Sequence, residues 1–219
     1  MKVRWLMYQK QNSTFKYFII LGLIAVAVVF YTQHKGSRRS VSGIKDPIQK
    51  EVSGQTTMEV DGYHMKIRYL YSYDISALVV HTKNYGSFDL CGKLAPIDLA
   101  LAWGKVAEYN DRIDFHWDQL SRWYTFEVKS IEELDPVGGI DGTGKHSSNN
   151  HLIPADQSVR KSIRKIKTGD YIRLTGYLVS ITGENGKGST FTWSSSTSRD
   201  DTGNGACEVM YVTNVQWLD

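Results

Sequence analysis

Between Tyr63 and Tyr85 apolar and polar residues change places at every second position. Met65, Ile67, Tyr69, Tyr71 and Tyr73 share one side, and the apolar stretch from Ala77 to Val80 follows. A period of two, rich in Tyr, Ile and Val, predicts antiparallel strands joined as a hairpin. The segment APIDLALAWGKVAEYN changes period: Leu99, Ala102, Trp103 and Val106 fall at helical spacing, with Pro96 near the start and Asp98 in the first turn. That spacing predicts a short helix against the sheet. SRWYTFEVKSI alternates again, with Trp123, Thr125 and Glu127 against Tyr124, Phe126 and Val128.

LDPVGGIDGTGKHSSNN is rich in Gly and small polar residues and reads as a long loop, residues 137–151, of the kind that serves as a lid or binding loop. From Pro154 a second helix is readable. Val159, Ile163 and Ile166 recur at helical spacing, Asp156 caps the start and Gly169 stops the run. Its other face carries Arg160, Lys161, Arg164, Lys165 and Lys167, read as a solvated charged face. DYIRLTGYLVSI, STFTWSSSTS and CEVMYVTNVQWL make three further strands, and GENGKG supplies the turn between the first two. The pattern predicts an α+β fold over residues 56–219, β-rich with about two short helices. Its small curled sheet would be barrel-like in the manner of an OB or SH3-type fold.

Ahead of that domain, the run FKYFIILGLIAVAVVFY changes the picture. Residues 15–32 span roughly 27 Å at ~1.5 Å per residue, close to a bilayer core, with Phe15, Tyr17, Phe30 and Tyr31 at the two ends. TQHKGSRRS follows without a small-x-small cleavage site, which favours an uncleaved anchor over a cleaved signal peptide. Residues 1–14 form a short, acid-free cytoplasmic tail, and the domain falls outside the cytoplasm. Residues 33–55, mixing Gly, Ser, Lys and Arg, read as a basic flexible linker.

Charge separates along the same line. Of the chain's 26 Lys/Arg and 23 Asp/Glu, residues 1–54 hold nine and two, a net +7, which leaves residues 55–219 with 17 against 21, a net −4. An acidic domain counts against a nucleic-acid partner, because phosphate neutralisation supplies most of such affinity.

Candidate chemistry is sparse. No H-E-x-x-H, C-x-x-C, G-x-S-x-G or phosphate-binding loop is present. Asp200, Thr202, Asn204 and Gly205 open like an EF-hand loop, but the twelfth position is Tyr211 and Glu208 comes three residues early, so no metal is expected. Nor is a cofactor. Cys91 and Cys207 are the only cysteines and, outside the cytoplasm, would allow one disulfide. Of six histidines (His34, His64, His81, His116, His146 and His151), His151 lies in the string SSNNHLIPA. His151 with Asp200 or Asp201 and a serine from 194–196 would make a hydrolytic constellation. The favoured reading is a structural turn entering the second helix, with Asn149, Asn150 and His151 bonding its backbone and Leu152 and Ile153 anchoring it. A ligand site would combine Asn149, Asn150 and His151 with Arg199, Asp200 and Asp201.

PIDLALAWG, RWY, SSNNHLIPA, GDYIRLTGYLV and SSTSRDDTGNGACE, in this order, resemble a group of uncharacterised bacterial membrane-anchored or exported proteins, over about residues 88–215. The resemblance implies bacterial origin and export and no activity. The expectation is thus a single-pass inner-membrane protein displaying a binding or assembly module to an envelope partner. A hydrolase using His151 and Asp200 is the first alternative, and an OB-like nucleic-acid binder the second.

Overall fold

The computed structural model describes residues 17–25, 38–198 and 207–219. The chain divides into two units, residues 1–35 and 36–219. In the first, residues 17–25 are helical (α1) and expose Tyr17, Phe18, Ile19, Ile20, Leu21, Leu23 and Ile24. Among the described residues no helix is long and apolar enough to cross a membrane. The remainder of the expected span, 15–16 and 26–32, lies outside them, as does the tail 1–14.

The second unit is a β-rich α+β domain built on a mixed sheet. The alternation after Tyr63 forms one strand rather than a hairpin, β3 (Tyr63–Asn84), and the hairpin is made with β2 (Gln55–Val60), ahead of it. β3 breaks register between Tyr69 and Tyr71 and again between Val79 and His81. Such bulges bend a strand, and here they let β3 serve two apolar cores. Met65 and Ile67 pack with Leu94, Ile153, Val179, Ile181 and Val209, whereas Tyr73, Ile75 and Ala77 pack with Leu99, Leu101, Leu152 and Met210.

β4 (Ile97–Ala102) corrects the first expected helix. All six of its residues are buried, antiparallel to β3 on one side and β7 on the other. A short apolar run satisfies either period, and two flanking ladders decide for the strand. A short helix, α2 (Leu90–Leu94), precedes β4, and of the expected helix only Gly104–Tyr109 (α3) is helical. The expected loop 137–151 is also corrected. A 3-10 helix (Ile131–Val137) and α4 (Gly139–Lys145) precede β7 (Ser147–Pro154), whose eight residues are all buried. The second expected helix is α5 (Gln157–Ile163), where Asp156 accepts the Val159 N–H at 2.8 Å and Val159 and Ile163 are buried.

β8 (Tyr171–Asn185), β9 (Thr190–Ser194) and β10 (Glu208–Trp217) are the three expected strands. β10 runs parallel to β7 and antiparallel to β8, and β8 pairs back along β3. The pairings β3–β4–β7–β10–β8–β3 therefore make a closed circuit. Gly176 permits its tightest approach, since a Cβ there would meet the Tyr211 carbonyl oxygen at 2.0 Å. The expected linker is part of this domain from Arg38 onward. Arg38 pairs with Asp114 at 3.0 Å, Ile44 is buried, and β1 (Ile48–Glu51) pairs with β3. Between β4 and β7 a separate hairpin, β5 (Asp118–Leu120) and β6 (Trp123–Thr125), crosses back toward the sheet.

Candidate functional site

Strand alternation divides β7 into two sets of side chains. Asn149, His151 and Ile153 face one way and Asn150 and Leu152 the other, so Asn149 and Asn150 do not share a site. Asn150 donates to Ser148 Oγ at 2.8 Å, and its Oδ1 is buried without a partner among the described residues. His151 lies directly across from Asp98 of β4. Asp98 is fully buried, and its Oδ2 sits 2.9 Å from His151 Nδ1, at an angle too poor for a formed hydrogen bond.

Arg122 satisfies the other carboxylate oxygen. It stands at the tip of the β5–β6 hairpin, where Ser121 and Arg122 both take left-handed backbone angles, φ +52° and +71°. Two such residues match the twist of a two-residue hairpin turn, at a cost of roughly 1–2 kcal/mol each when neither is glycine. The turn aims the side chain inward. Nη1 donates to Asp98 Oδ1 at 2.7 Å and to the Ala95 carbonyl at 3.0 Å. The guanidinium lies 3.6 Å from the Tyr85 ring centroid and 5.6 Å from that of Trp193. Nη2 is buried and meets no acceptor among the described residues.

The backbone of Arg122 is held as well. Its N–H donates to Tyr85 Oη at 3.1 Å, and its carbonyl accepts from Asn149 Nδ2 at 2.8 Å. Asn149 Oδ1 accepts from Gln119 Nε2, and Gln119 Oε1 meets His81 Nδ1 at 3.0 Å. Burial, joined by the Asp98 charge, pushes the Tyr85 phenol up to about 12. Burial likewise raises the Cys91 thiol, against the pull of Arg122. Cys207 Sγ lies 3.7 Å from the Arg122 carbonyl. Cys91 and Cys207 are not joined in a disulfide.

This is a largely buried polar centre, in which the Asp98 carboxylate is bonded by the Arg122 guanidinium and lies against the His151 imidazole. Of the expected site residues it unites Asn149 and His151, while Arg199, Asp200 and Asp201 lie outside the described residues. SSNNHLIPA is a buried strand rather than an entry turn, because β10 adds a parallel ladder to it. Among the serines expected beside His151, Ser195 is committed, donating to the Ser196 carbonyl and accepting the Val209 N–H at 3.0 Å. His64, His116 and His146 lie outside this network. His64 meets Glu59, His116 meets Asp114, and His146 caps α4 at the Gly142 carbonyl. The basic face of α5 is partly structural, since Arg160 donates to the Lys93 carbonyl at 2.8 Å.

Asp98, Arg122 and Tyr85 were missed by sequence reasoning. One signal was available: Asp98 is a single carboxylate inside the apolar run IDLALA, and a charge buried in such a run requires a partner. A groove of about 610 Å³ lined by Glu51, Arg68, Tyr69 and Thr197 shares no residue with the centre. No family model, no curated protein and no solved structure matches this chain.

Proposed function

We propose that residues 36–219 form a binding and assembly module of the OB type, held at the bacterial envelope by an anchor at 15–32 with the domain outside the cytoplasm. The strand circuit supports this reading. Taken in chain order, its five strands β3, β4, β7, β8 and β10 pair as 1-2-3-5-4-1, with the third and fifth parallel and α5 between the third and fourth. That is the plan of an OB barrel, whose second and third strands and 1-2 and 4-5 loops hold ligands.

The observation that carries the function is what stands at that place here. β4 and β7 contribute Asp98, Asn149 and His151, the 1-2 loop contributes Tyr85, and the 4-5 connection contributes Trp193. These side chains are spent on one another and on Arg122, as in a surface that recognises rather than reacts. An acidic domain whose strand face lies under its own hairpin lacks the open, basic and aromatic strip that single strands require. The partner is then an envelope protein.

Photo-crosslinking from Leu120 and Trp123, exposed on either side of the hairpin tip, tests this in bacterial cells carrying the full chain. A discrete protein adduct in the membrane fraction is expected. Lipid adducts alone, or none, would remove the reading. The Asp98–His151 pair favours one second reading, a hydrolase with His151 as its base. It requires His151→Ala to abolish turnover of an envelope substrate with the melting temperature unchanged.

A further inference from the structure

Arg122 is held as an arginine residue is held in a receptor. Its guanidinium has a buried carboxylate, a carbonyl and an aromatic plate, while its own backbone N–H and carbonyl are each bonded by a side chain, from Tyr85 and Asn149. Both hydrogen bonds leave from Nη1, and what an ammonium would not reproduce is the stacking of the planar guanidinium 3.6 Å from the Tyr85 ring centroid. The fit is nonetheless incomplete. Nη2 has no acceptor among the described residues, and the tip that delivers the side chain is in a backbone conformation that Ser and Arg seldom adopt. The base of the hairpin is anchored separately, by Gln119 on Asn149, by Trp117 Nε1 donating to Asn110 Oδ1 at 2.9 Å and by Tyr124 Oη on Ser147, so the tip can lift while the base stays.

We propose that Tyr85, Ala95, Asp98, Asn149 and Trp193 form a receptor site for an arginine residue of a partner polypeptide, occupied in cis by Arg122. The inference rests on the binding-module reading and names its ligand. Recognition of the flanking peptide groups, and not of the guanidinium alone, points to a polypeptide rather than a free cation. The cis arginine competes at high effective concentration, so a partner enters only when the tip is lifted. Apparent affinity in the native chain is reduced by the fraction of open molecules.

The full chain in detergent micelles, native and as Arg122→Ala, is titrated with N-acetyl-L-arginine N-methylamide, with the lysine analogue and with guanidinium chloride. The variant should bind the arginine analogue at least about tenfold more tightly than the native chain, given an open state of 10% or less. Its melting temperature should rise saturably. The lysine analogue should not bind, guanidinium should bind more weakly, and Arg122→Ala/Asp98→Asn should lose the effect. Equal response to the lysine analogue, or no response from a folded variant, overturns the proposal.

If Arg122→Ala does not fold alone, recovery of its fold by the arginine analogue and not the lysine analogue supports the site, and no recovery counts against it. Hydrogen exchange in the native chain gives an independent reading. The Arg122 amide should exchange faster than amides of β4 and β7, and exchange only on global unfolding would exclude a displaceable tip. These results do not depend on crosslinking in cells, so loss of the envelope partner and loss of the arginine site are told apart.

Discussion

The apolar core around Leu99, Leu101, Leu152 and Met210 and the polar centre around Asp98 and Arg122 share the strands β4 and β7; the core residues and Asp98 are fully buried, whereas Arg122 keeps 19% of its side chain exposed. They are held by different forces. Apolar burial is non-directional and accepts any side chain of the right volume. The polar centre requires each donor to find one acceptor, and a missing member leaves a charge stranded in low dielectric. Such centres add little net stability over apolar packing, but they fix which residue stands opposite which. A slip of β7 by one residue would carry His151 to the other face and leave Asp98 opposite Asn150 or Leu152.

The largest test of this contrast is Arg122→Ala, which strands the Asp98 carboxylate and should cost about 3–5 kcal/mol in denaturant unfolding. A loss below about 1 kcal/mol would mean that the pair contributes no more than an exposed one. Replacing both partners by apolar residues, Arg122→Met with Asp98→Leu, should cost less than the single change, the signature of a coupled pair. On the apolar side, Leu152→Ala should cost about 2–5 kcal/mol and Leu152→Met less than about 1.5. Similar losses from both would show that shape matters there more than volume. Outside both regions, Asp156→Ala removes the α5 cap and should cost about 1 kcal/mol.

Two titrations complete the series. The native domain keeps the Tyr85 proton up to about 12, whereas an unfolded tyrosine releases it near 10. Stability from this source is present below pH 10 and is lost as pH rises from 10 to 12. Tyr85→Phe should flatten that alkaline limb of an unfolding-versus-pH curve. Asp74, lowered chiefly by the hydrogen bonds from Arg173, gives the smallest effect. Its contribution is present above pH 3.8 and fades as pH falls through the lowered native value. Arg173→Ala should remove that acid sensitivity and change little at neutral pH.

Legibility followed the reach of each signal. α5 was readable because its cap, its apolar spacing and its stop are all local. β8, β9 and β10 were readable because alternation and a glycine turn are local too. β4 and β7 were not. Six or eight residues buried on both sides show no alternation, and their strand state comes from neighbours distant in sequence. Glycine-rich composition made 137–145 look like a loop, but the 3-10 helix and α4 close it locally at Gly138 and Gly139, whose φ values of +89° and +73° need glycine.

For this chain the sequence by itself determined an α+β domain, the strand character of its alternating run, its capped helix and its separation of charge between the first 54 residues and the rest. Each of those is written in contacts within a few positions. The tertiary structure alone decided that β10 lies parallel to β7, that β8 returns to β3, and that Arg122 reaches Asp98 across 24 positions. Those choices depend on the joint satisfaction of backbone ladders and one buried charge, and no local pattern records them.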